Sequence, residues 1–413
     1  MILVLHCNIM KKNWFTLNSD TFLWLKDSVG LVYNAENKRQ FIFHVSDKIK
    51  KICLQLLEVD NLYTVGFSDE LINDNEINQW INSLIAIQAG CLSLGIESDK
   101  RPVSLKPILK VQDDKKYYEE QHKLGFKGKI LQNLHELTIY MNGSEYGSDE
   151  YFKQTIYPIR SKLVLDDLKV RSFIKNSRNF FLSNINLVGN PVSYLGFERL
   201  ISDIIEFNIQ CTIYIMLNDV RDNIQKLKKI KWSDNIRFNI LIDVSFDTLC
   251  LQDLPFQYTM TFVVFSESDF IQFSNLLDNF SKTHDSRFIP LYNKENLSFF
   301  ESNVFVEKEE MDKIDLSKNE IFIRQAFNIE DFGKLTVLPD GNVYANVNMI
   351  SLGTIDDSPY SIVYKEFISG QSWFRLRDQV PCDNCIYQWL CPSPSNYEIV
   401  LDRLNLCHVR NRE

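Results

Sequence analysis

The stretch INLVGNPVSYLGFERLISDIIEFNIQCTIYIML, residues 185–217, reads as a strand, a helix and a second strand in succession. Its two ends, INLVG (185–189) and CTIYIML (211–217), are short, apolar and rich in residues that favour strands. The segment LGFERLISDIIEF (195–207) between them has helical character. A strand, a helix and a strand in this order predict two parallel strands joined by a right-handed crossover.

The same theme recurs on both sides of this stretch. ESDFIQFSNLLDNF (267–280) is another helical segment. The further predicted strands are LTIYM (137–141), FNILIDV (238–244), MTFVVF (260–265) and RFIPL (287–291). Six such units in about 200 residues predict a partial (β/α)6 TIM-like barrel over residues 125–325, with an open doubly wound sheet as the alternative.

The first 100 residues have a different pattern. Aromatic and β-branched runs at TFLWL (21–25), GLVYN (30–34) and QFIF (40–43) predict a three-stranded antiparallel meander. A helix capped by Ser46 follows, and a second one runs from about 73 to 90 with Gly90 as its C-cap. Strands followed by helices predict a winged-helix-like domain over residues 1–100, linked to the barrel by a polar segment.

Composition and charge exclude several classes of function. The chain has 413 residues and a net charge of −9, so it offers no general field for binding nucleic acid or an anionic membrane. It contains no run of about 18 apolar residues, and its start lacks a signal peptide's basic region and cleavage site. P-loop, dinucleotide-binding and nucleophile-elbow motifs are missing from the sequence. We therefore expect a cytoplasmic protein that binds neither nucleic acid nor membrane.

Four of the nine cysteines are clustered near the C-terminus. Cys382, Cys385, Cys391 and Cys407 follow the pattern C-x2-C-x5-C-x15-C. In a reducing compartment this spacing predicts four thiolate ligands for one zinc ion or one 4Fe-4S cluster. His408 is not expected to be a ligand, because adjacent side chains point in different directions. The remaining cysteines are predicted to be small buried core residues: Cys7, Cys53, Cys91, Cys211 and Cys250.

Residues 333–407 resemble the SPASM domain, which carries auxiliary iron–sulfur clusters in radical SAM enzymes that mature peptides. The likeness rests on GKLTVLPDGNVY, whose Asp340-Gly341 pair predicts a hairpin, on LGTI (352–355) and on the cysteine pattern. Three further cysteines of the family pattern are replaced here by Glu330, Asn346 and Ser395. The resemblance therefore implies a SPASM-like domain over 326–413 with a single cluster, on the four clustered cysteines.

The preceding region resembles a radical SAM barrel whose catalytic motif is lost. The family's C-x3-C-x2-C triplet occurs nowhere in the chain, and its register after LTIYM is held by Ser144, Ser148 and Tyr151. The family's Gly-Gly-Glu-Pro motif, whose acid binds the amino group of S-adenosylmethionine, corresponds to residues 188–191, with Asn190 in place of the acid. An amide offers an ammonium group no charge-assisted hydrogen bond. The resemblance implies no binding of S-adenosylmethionine.

The combination is similar to the pseudo-radical-SAM/SPASM proteins of GG-Bacteroidales peptide systems. NWFTL, DNLY, PCDNCIYQWLCPSPSNYE and NLC carry this likeness. It implies a pseudoenzyme: a non-catalytic accessory protein that binds the leader of a ribosomally made precursor peptide, a partner radical SAM maturase, or both. A redox partner that delivers electrons through its cluster and a zinc-stapled scaffold are the alternatives.

The resemblance also gives the N-terminal region a role in leader recognition. In that plan the leader adds a strand to the third strand of the meander and packs against the last helix. The expected contact residues are Gln40, Phe41, Ile42, Phe43, Trp80 and Leu84. The competing interpretation is that the apolar residues of this helix are ordinary core.

Overall fold

The computed structural model describes residues 11–97, 100–109, 114–126, 129–230, 232–243, 254–278 and 285–409. The start of the chain, Cys7, Cys250 and the last residues of two predicted elements (244 and 279–280) lie outside these ranges. Within them, no helix has the length and apolar character needed to cross a membrane.

The N-terminal region contains two small antiparallel sheets and three helices. Its strands are β1 (Lys11–Leu17), β2 (Thr21–Lys26), β3 (Val29–Asn34), β4 (Arg39–His44), β5 (Thr64–Phe67) and β6 (Gly90–Glu97). Its helices are α1 (Asp47–Leu57), α2 (Asp69–Ile72) and α3 (Asn75–Ala86). The predicted meander is confirmed as the sheet β2-β3-β4. The second sheet, β5-β1-β6, was not predicted, because β1 mixes polar and apolar residues and β5 has only four residues.

The predicted start of the first helix is correct, and the predicted end of the second is wrong. Ser46 caps α1 as expected, since its side chain accepts a hydrogen bond from the backbone N–H of Ile49. Gly90 is not a C-cap: α3 ends at Ala86, and Gly90 opens β6. There a Cβ atom would lie 2.5 Å from the carbonyl oxygen of Thr16, so glycine serves the close approach of β1 and β6.

Sheet β2-β3-β4 is apolar on both faces and is buried on both. Leu23, Val32 and Phe43 face α1 and α3 and share a core with them. Alternate residues point the other way, and Phe22, Leu31 and Tyr33 pack against residues 311–321, Tyr387 and Leu390. The N-terminal sheet is thereby inserted between its own helices and the C-terminal part of the chain.

The six predicted barrel strands are confirmed in type and in order. They are β7 (Glu136–Tyr140), β8 (Asn184–Val188), β9 (Gln210–Met216), β10 (Ile236–Ile242), β11 (Gln257–Val264) and β12 (Ser286–Pro290). Every neighbouring pair among them is parallel. The helices of this region are α4 (Asp114–Lys123), α5 (Asp167–Ser177), α6 (Phe197–Glu206), α7 (Leu217–Leu227) and α8 (Glu267–Asp278).

The C-terminal region continues the same sheet. Its elements are α9 (Leu297–Asn303), α10 (Lys308–Met311), α11 (Lys318–Ala326), β13 (Lys334–Val337), β14 (Asn342–Tyr344), β15 (Gly353–Thr354), α12 (Pro359–Ser369) and α13 (Asn396–Val400). β13 and β14 form the predicted hairpin. β13 also pairs in parallel with β7, so the large sheet runs across the expected domain boundary at 326. The division into three domains and the winged-helix-like and SPASM-like descriptions stay predictions.

The large sheet is curled. Neighbouring strands lie about 4.8 Å apart, so β7 and β12, five positions apart, would be about 24 Å apart in a flat sheet. Yet Thr138 of β7 and Ile289 of β12 line the same cavity of about 370 Å³. One face of the strands packs against the helices as the main apolar core, and side chains of β7, β8, β9 and β12 on the other face line this cavity. The curvature is what a partial barrel requires.

Tyr33 offers a test of the contact between the N-terminal sheet and the C-terminal region. Its buried hydroxyl donates to the carbonyl oxygen of Leu316 at 2.8 Å and accepts from the N–H of Leu316 at 2.7 Å. Tyr33→Phe leaves both backbone groups without this partner and should lower the free energy of unfolding by about 1–3 kcal/mol, measured by urea denaturation. Tyr117→Phe, at a half-exposed ring, is the control, and an equal effect of both changes would contradict the expectation.

Candidate functional site

The four clustered cysteines are brought together around one cavity. Cys382, Cys385, Cys391 and Cys407 line an enclosed space of about 200 Å³. All four are free thiols and half-buried. The first three lie in a loop held by short-range backbone bonds, such as that from the Cys391 N–H to the Tyr387 carbonyl at 2.9 Å. Cys407 reaches the same cavity from the end of the chain, where it forms an isolated bridge with Val306.

The chemical surroundings of the cavity suit anionic sulfur. A guanidinium nitrogen of the buried Arg377 lies 3.9 Å from the Cys382 sulfur, and the N–H of Val409 donates to the Cys407 sulfur at 3.2 Å. Arg377 is fixed by an ion pair with Glu398 at 2.7 Å. His408, as expected, takes no part: its Nε2 lies 2.8 Å from the carbonyl oxygen of Glu301.

Burial favours the protonated form of three of the thiols. It raises the pKa of Cys391 to about 12 and also raises the pKa values of Cys382 and Cys407, while Arg377 acts in the opposite direction. Metal coordination would therefore release protons from these thiols, and the affinity of the site for metal would fall at low pH.

The four thiols line a cavity and do not converge on one point. Among the described residues, no three side chains of histidine, cysteine, aspartate or glutamate are arranged to hold a single metal ion. A tetrahedral zinc ion needs four sulfurs within about 2.3 Å of one centre. In a 4Fe-4S cluster each thiolate binds a different iron, so the sulfurs stand farther apart. The donor set, four cysteine thiols, is one that either group can use.

The positions of the three replaced cysteines converge in a second place, which a polar network fills. Asn346 donates to Asp331 at 2.9 Å and to Asn396 at 2.6 Å. Asp331 also faces the guanidinium of Arg375 at 3.5 Å. Ser395 now caps α13 through a capping box with Glu398. Glu330 lines the neighbouring barrel cavity. Side-chain hydrogen bonds thus occupy the place where the resemblance predicts cluster ligands.

Four residues stand where the resemblance places the S-adenosylmethionine motifs. Two of them, Ser144 and Asn190, bind the same carboxylate, which the sequence analysis did not identify. Asp219, at the start of α7, accepts from the Ser144 hydroxyl at 2.5 Å and from the Asn190 amide at 3.3 Å. Burial raises the pKa of Asp219, and the two hydrogen bonds oppose that shift. The ends of β7, β8 and β9 are therefore tied together by direct polar contacts. The only signal in the sequence was the place of Asp219 two residues past the end of the predicted strand CTIYIML (211–217).

The other two of these four residues, Ser148 and Tyr151, take no part in this contact. The Ser148 hydroxyl accepts from the N–H groups of Glu150 and Tyr151 and so shapes the local turn. The Tyr151 ring packs edge-on against Tyr157 and also contacts Phe265. Ser148 and Tyr151 thus serve the structure of the loop itself.

That loop closes the carboxyl ends of the barrel strands. Tyr157 is buried among Met216, Leu241 and Val263, which end β9, β10 and β11 on the inner side. Its hydroxyl donates to Asp243 at 2.9 Å. Active sites of α/β barrels lie at this end of the strands. Here residues 151–159 fill it with an apolar plug, which the sequence did not reveal because the plug depends on contacts across the sheet.

The expected peptide contacts divide into accessible and buried residues. Phe43, Trp80 and Leu84 are buried in the N-terminal core, with the rings of Phe43 and Trp80 5.7 Å apart. Ile42 is 38% exposed. Phe41 is half-buried, and the side chain of Gln40 donates to the carbonyl oxygen of Met311 at 2.8 Å. Trp80 and Leu84 therefore support β4 from beneath, as the core interpretation of the helix held, and a role of the six in peptide binding stays a prediction.

Comparison with known proteins gives matches of structure only. No family model and no curated protein match the sequence. Among solved structures, one similar to this chain is the crystal structure of Streptococcus suis SuiB bound to precursor peptide SuiA. It has 13% identity and a TM-score of 0.46, and the match covers 96% of this chain and 99% of that one. Another is His6-tagged anSMEcpe with bound AdoMet, at 14% identity and a TM-score of 0.39, covering 66% and 99%. Both TM-scores lie below 0.5, a level at which similarity decides neither family nor function.

The polar network at the replaced cysteines predicts a specific pH dependence. Burial raises the pKa of Asp331 to about 6, against about 3.9 in an unfolded chain. Between these two pH values Asp331 is protonated in the folded state and ionised in the unfolded state. Its contribution to the free energy of unfolding is therefore fully present below about pH 4 and is lost as the pH rises through about 6. In urea unfolding from about pH 4.5 to 7, wild type should lose about 2 kcal/mol more than Asp331→Asn. Asp402→Asn, at an exposed carboxylate, is the matched control, and parallel curves for wild type and Asp331→Asn would contradict the assignment.

Proposed function

We propose that this chain is a non-catalytic pseudo-radical-SAM protein that assists the maturation of a ribosomally made peptide. It binds the leader of the precursor peptide at its N-terminal sheet and presents it to a partner radical SAM maturase. The four-cysteine site holds one 4Fe-4S cluster with a structural role. S-adenosylmethionine is neither bound nor cleaved.

The observation that carries this proposal is the set of ordinary protein contacts at the strand ends where the resemblance places a reactive centre. The sequence has no C-x3-C-x2-C triplet. At the corresponding strand ends, Ser144 and Asn190 are engaged with Asp219, and the carboxylate of Asp219 takes up both hydrogen bonds. Tyr157 closes the barrel beside them. A site filled by satisfied polar groups and packed side chains has no room for a cluster and a nucleoside without breaking those contacts.

The support for peptide binding lies in β4. In the part of the chain that the structure describes, β4 pairs with β3 on one side, and its other edge has no strand partner. Such an edge presents backbone N–H and C=O groups that an extended peptide can pair with. Ile42 and the half-buried Phe41 stand along it and can contact alternate side chains of the peptide. The packing of Phe43 of this strand against the buried Trp80 holds β4 in place for pairing with a peptide.

A second candidate, electron delivery to the partner, is favoured by one observation. Cys385 lines the cysteine cavity and also a separate cleft of about 530 Å³ that includes exposed residues such as Asp27 and Lys308. A cluster held there would have one ligand close to the surface, and outer-sphere electron transfer would be open to it. A zinc ion in the same site would leave only the structural role.

The identity of the metal is tested by anaerobic purification of the chain. We expect a brown protein with broad absorbance near roughly 400 nm and about four irons per chain, because four thiolates can bind one 4Fe-4S cluster. Cys391→Ser should lower the iron content, whereas Cys53→Ser, at a buried cysteine of the N-terminal core, should leave it unchanged. A colourless protein with one zinc ion would contradict both the iron–sulfur cluster and the electron-transfer role.

The accessory role is tested by binding and by chemistry in parallel. The chain should retain the short double-glycine-leader peptide encoded beside it, and the neighbouring maturase, at micromolar concentrations. Ile42→Asp places a charge beside the free edge of β4 and should weaken peptide binding at least about tenfold, a difference of about 1.4 kcal/mol. Ile271→Asp, at another exposed isoleucine on α8, is the matched control. Cleavage of S-adenosylmethionine by this chain alone, or no retention of either partner, would refute the proposal.

A further inference from the structure

The loop that contains three of the cysteines also packs against the N-terminal sheet. Residues 382–391 contact both the cavity and the sheet. The thiols line the cavity, Tyr387 and Leu390 share a core with Phe22, Leu31 and Tyr33 of the sheet β2-β3-β4, and Cys385 and Cys391 also pack against that core. One short segment thus forms the wall of the metal site on one side and the support of the sheet on the other.

Polar contacts fix the sheet to the same loop. The ammonium group of Lys26 donates to the carbonyl oxygen of Asp383 at 2.6 Å and to the side-chain oxygen of Gln388 at 3.1 Å. The amide of Asn384 donates to the carboxylate of Asp27 at 2.7 Å. These bonds join the β2–β3 turn to residues that lie one to three positions from a cysteine. A shift of the loop therefore moves the turn as well.

The loop has little regular structure of its own. A single 3-10 turn at Cys382–Asn384 is its one helical element, and tight turns make up most of its backbone bonds. Cys407 is sixteen residues beyond Cys391 in the chain and lies across the cavity from the loop. Four metal–sulfur bonds would tie these separate segments to one centre, and such a tie restricts an otherwise weakly held loop.

The contrast with the second, converted site supports this view. There Asn346, Asp331, Asn396 and Arg375 are joined by direct hydrogen bonds and an ion pair, so the fold needs no metal at that place. At the four cysteines, Gln388 donates to the carbonyl oxygen of Arg377 at 2.8 Å, but the thiols themselves make weaker contacts, since Arg377 lies 3.9 Å from the Cys382 sulfur. Of the two places, the four-cysteine site is therefore the one where a metal would add bonds that the side chains do not supply.

We propose that the metal in the four-cysteine site holds the 382–391 loop in the conformation that supports the sheet, and that metal loading thereby controls the affinity of β4 for the peptide. The link runs from the thiols through residues 383–390 to β2 and β3, and from β3 to β4 through their ladder. The effect on the sheet stands on the contacts alone, whereas the effect on peptide affinity rests on the function proposed above.

The test compares the full chain as purified anaerobically with the same chain after removal of its metal by a chelator. Hydrogen exchange, followed by mass spectrometry, should show faster exchange in β2, β3 and β4 of the metal-free chain. The barrel strands β8 and β9, which do not touch the loop, should keep their protection and serve as the internal reference. The dissociation constant of the leader peptide should rise at least about tenfold.

A variant that leaves the thiols intact separates the mechanical link from the metal itself. Lys26→Met removes the bonds to Asp383 and Gln388 and should keep the metal content of wild type. It should speed exchange in β2 and β3 and weaken peptide binding about fivefold, the scale of one or two hydrogen bonds. Lys229→Met, at an exposed lysine after α7, is the matched control and should change neither quantity.

The outcomes separate this inference from the proposed function. Unchanged exchange in β2–β4 of the metal-free chain would overturn the inference. Faster exchange in a chain whose metal-loaded form binds no peptide would support the link to the sheet and refute the peptide-binding function. If metal removal unfolds the barrel strands too, Lys26→Met decides alone: unchanged exchange in β2 and β3 would overturn the inference, and faster exchange would support it.

Discussion

The structure depends on a sheet that has to bury both of its faces. Strands β2, β3 and β4 place large apolar side chains on alternate sides, with Val32 directed at the N-terminal helices and Leu31 in the opposite direction. A half-exposed sheet of this composition would leave Phe22, Leu31 and Tyr33 in water, at a cost of about 1.5–3 kcal/mol for each large side chain. The second face is covered by residues 311–321 and by the cysteine loop. The two ends of the chain are therefore one structural unit around this sheet, whatever the barrel between them does.

The carboxyl ends of the barrel strands are closed by direct contacts between side chains. Buried polar groups at such a place must be paired, because an unpaired buried polar group costs about 1–3 kcal/mol. At the strand ends, Asp219 accepts both the Ser144 hydroxyl and the Asn190 amide, and Tyr157 fills the remaining space. At the place where the SPASM-like pattern predicts further cysteines, Asn346 and Asp331 are paired in the same way. Both places are closed by direct contacts, whereas the four-cysteine cavity is lined by thiols that could serve as metal ligands.

The cysteine loop lies between the cavity and the N-terminal sheet. It has one short 3-10 turn between Cys382 and Cys391, and the side chains of Lys26 and Arg324 donate to its backbone carbonyls. Its thiols line the cavity, and Tyr387 and Leu390 pack against the sheet, so one short stretch of sequence serves both. A metal centre is a compact means of fixing such a loop. The role proposed for the metal is mechanical and requires no chemistry.

The sequence by itself determined the elements that local patterns encode. Periodicity alone placed all six barrel strands, the β2-β3-β4 meander and the hairpin at Asp340-Gly341, because strand alternation and turn chemistry act over a few residues. The cysteine spacing likewise placed four thiols around one cavity. Only the tertiary structure decided the second sheet around β1, the exposure of Cys91 on the outer strand β6, which was predicted to be buried, and the contact between the sheet and the cysteine loop. Asp219 and Tyr157 could not be foreseen either, since their partners lie far along the chain. Such contacts depend on which surfaces the completed fold brings together, and no local pattern encodes that.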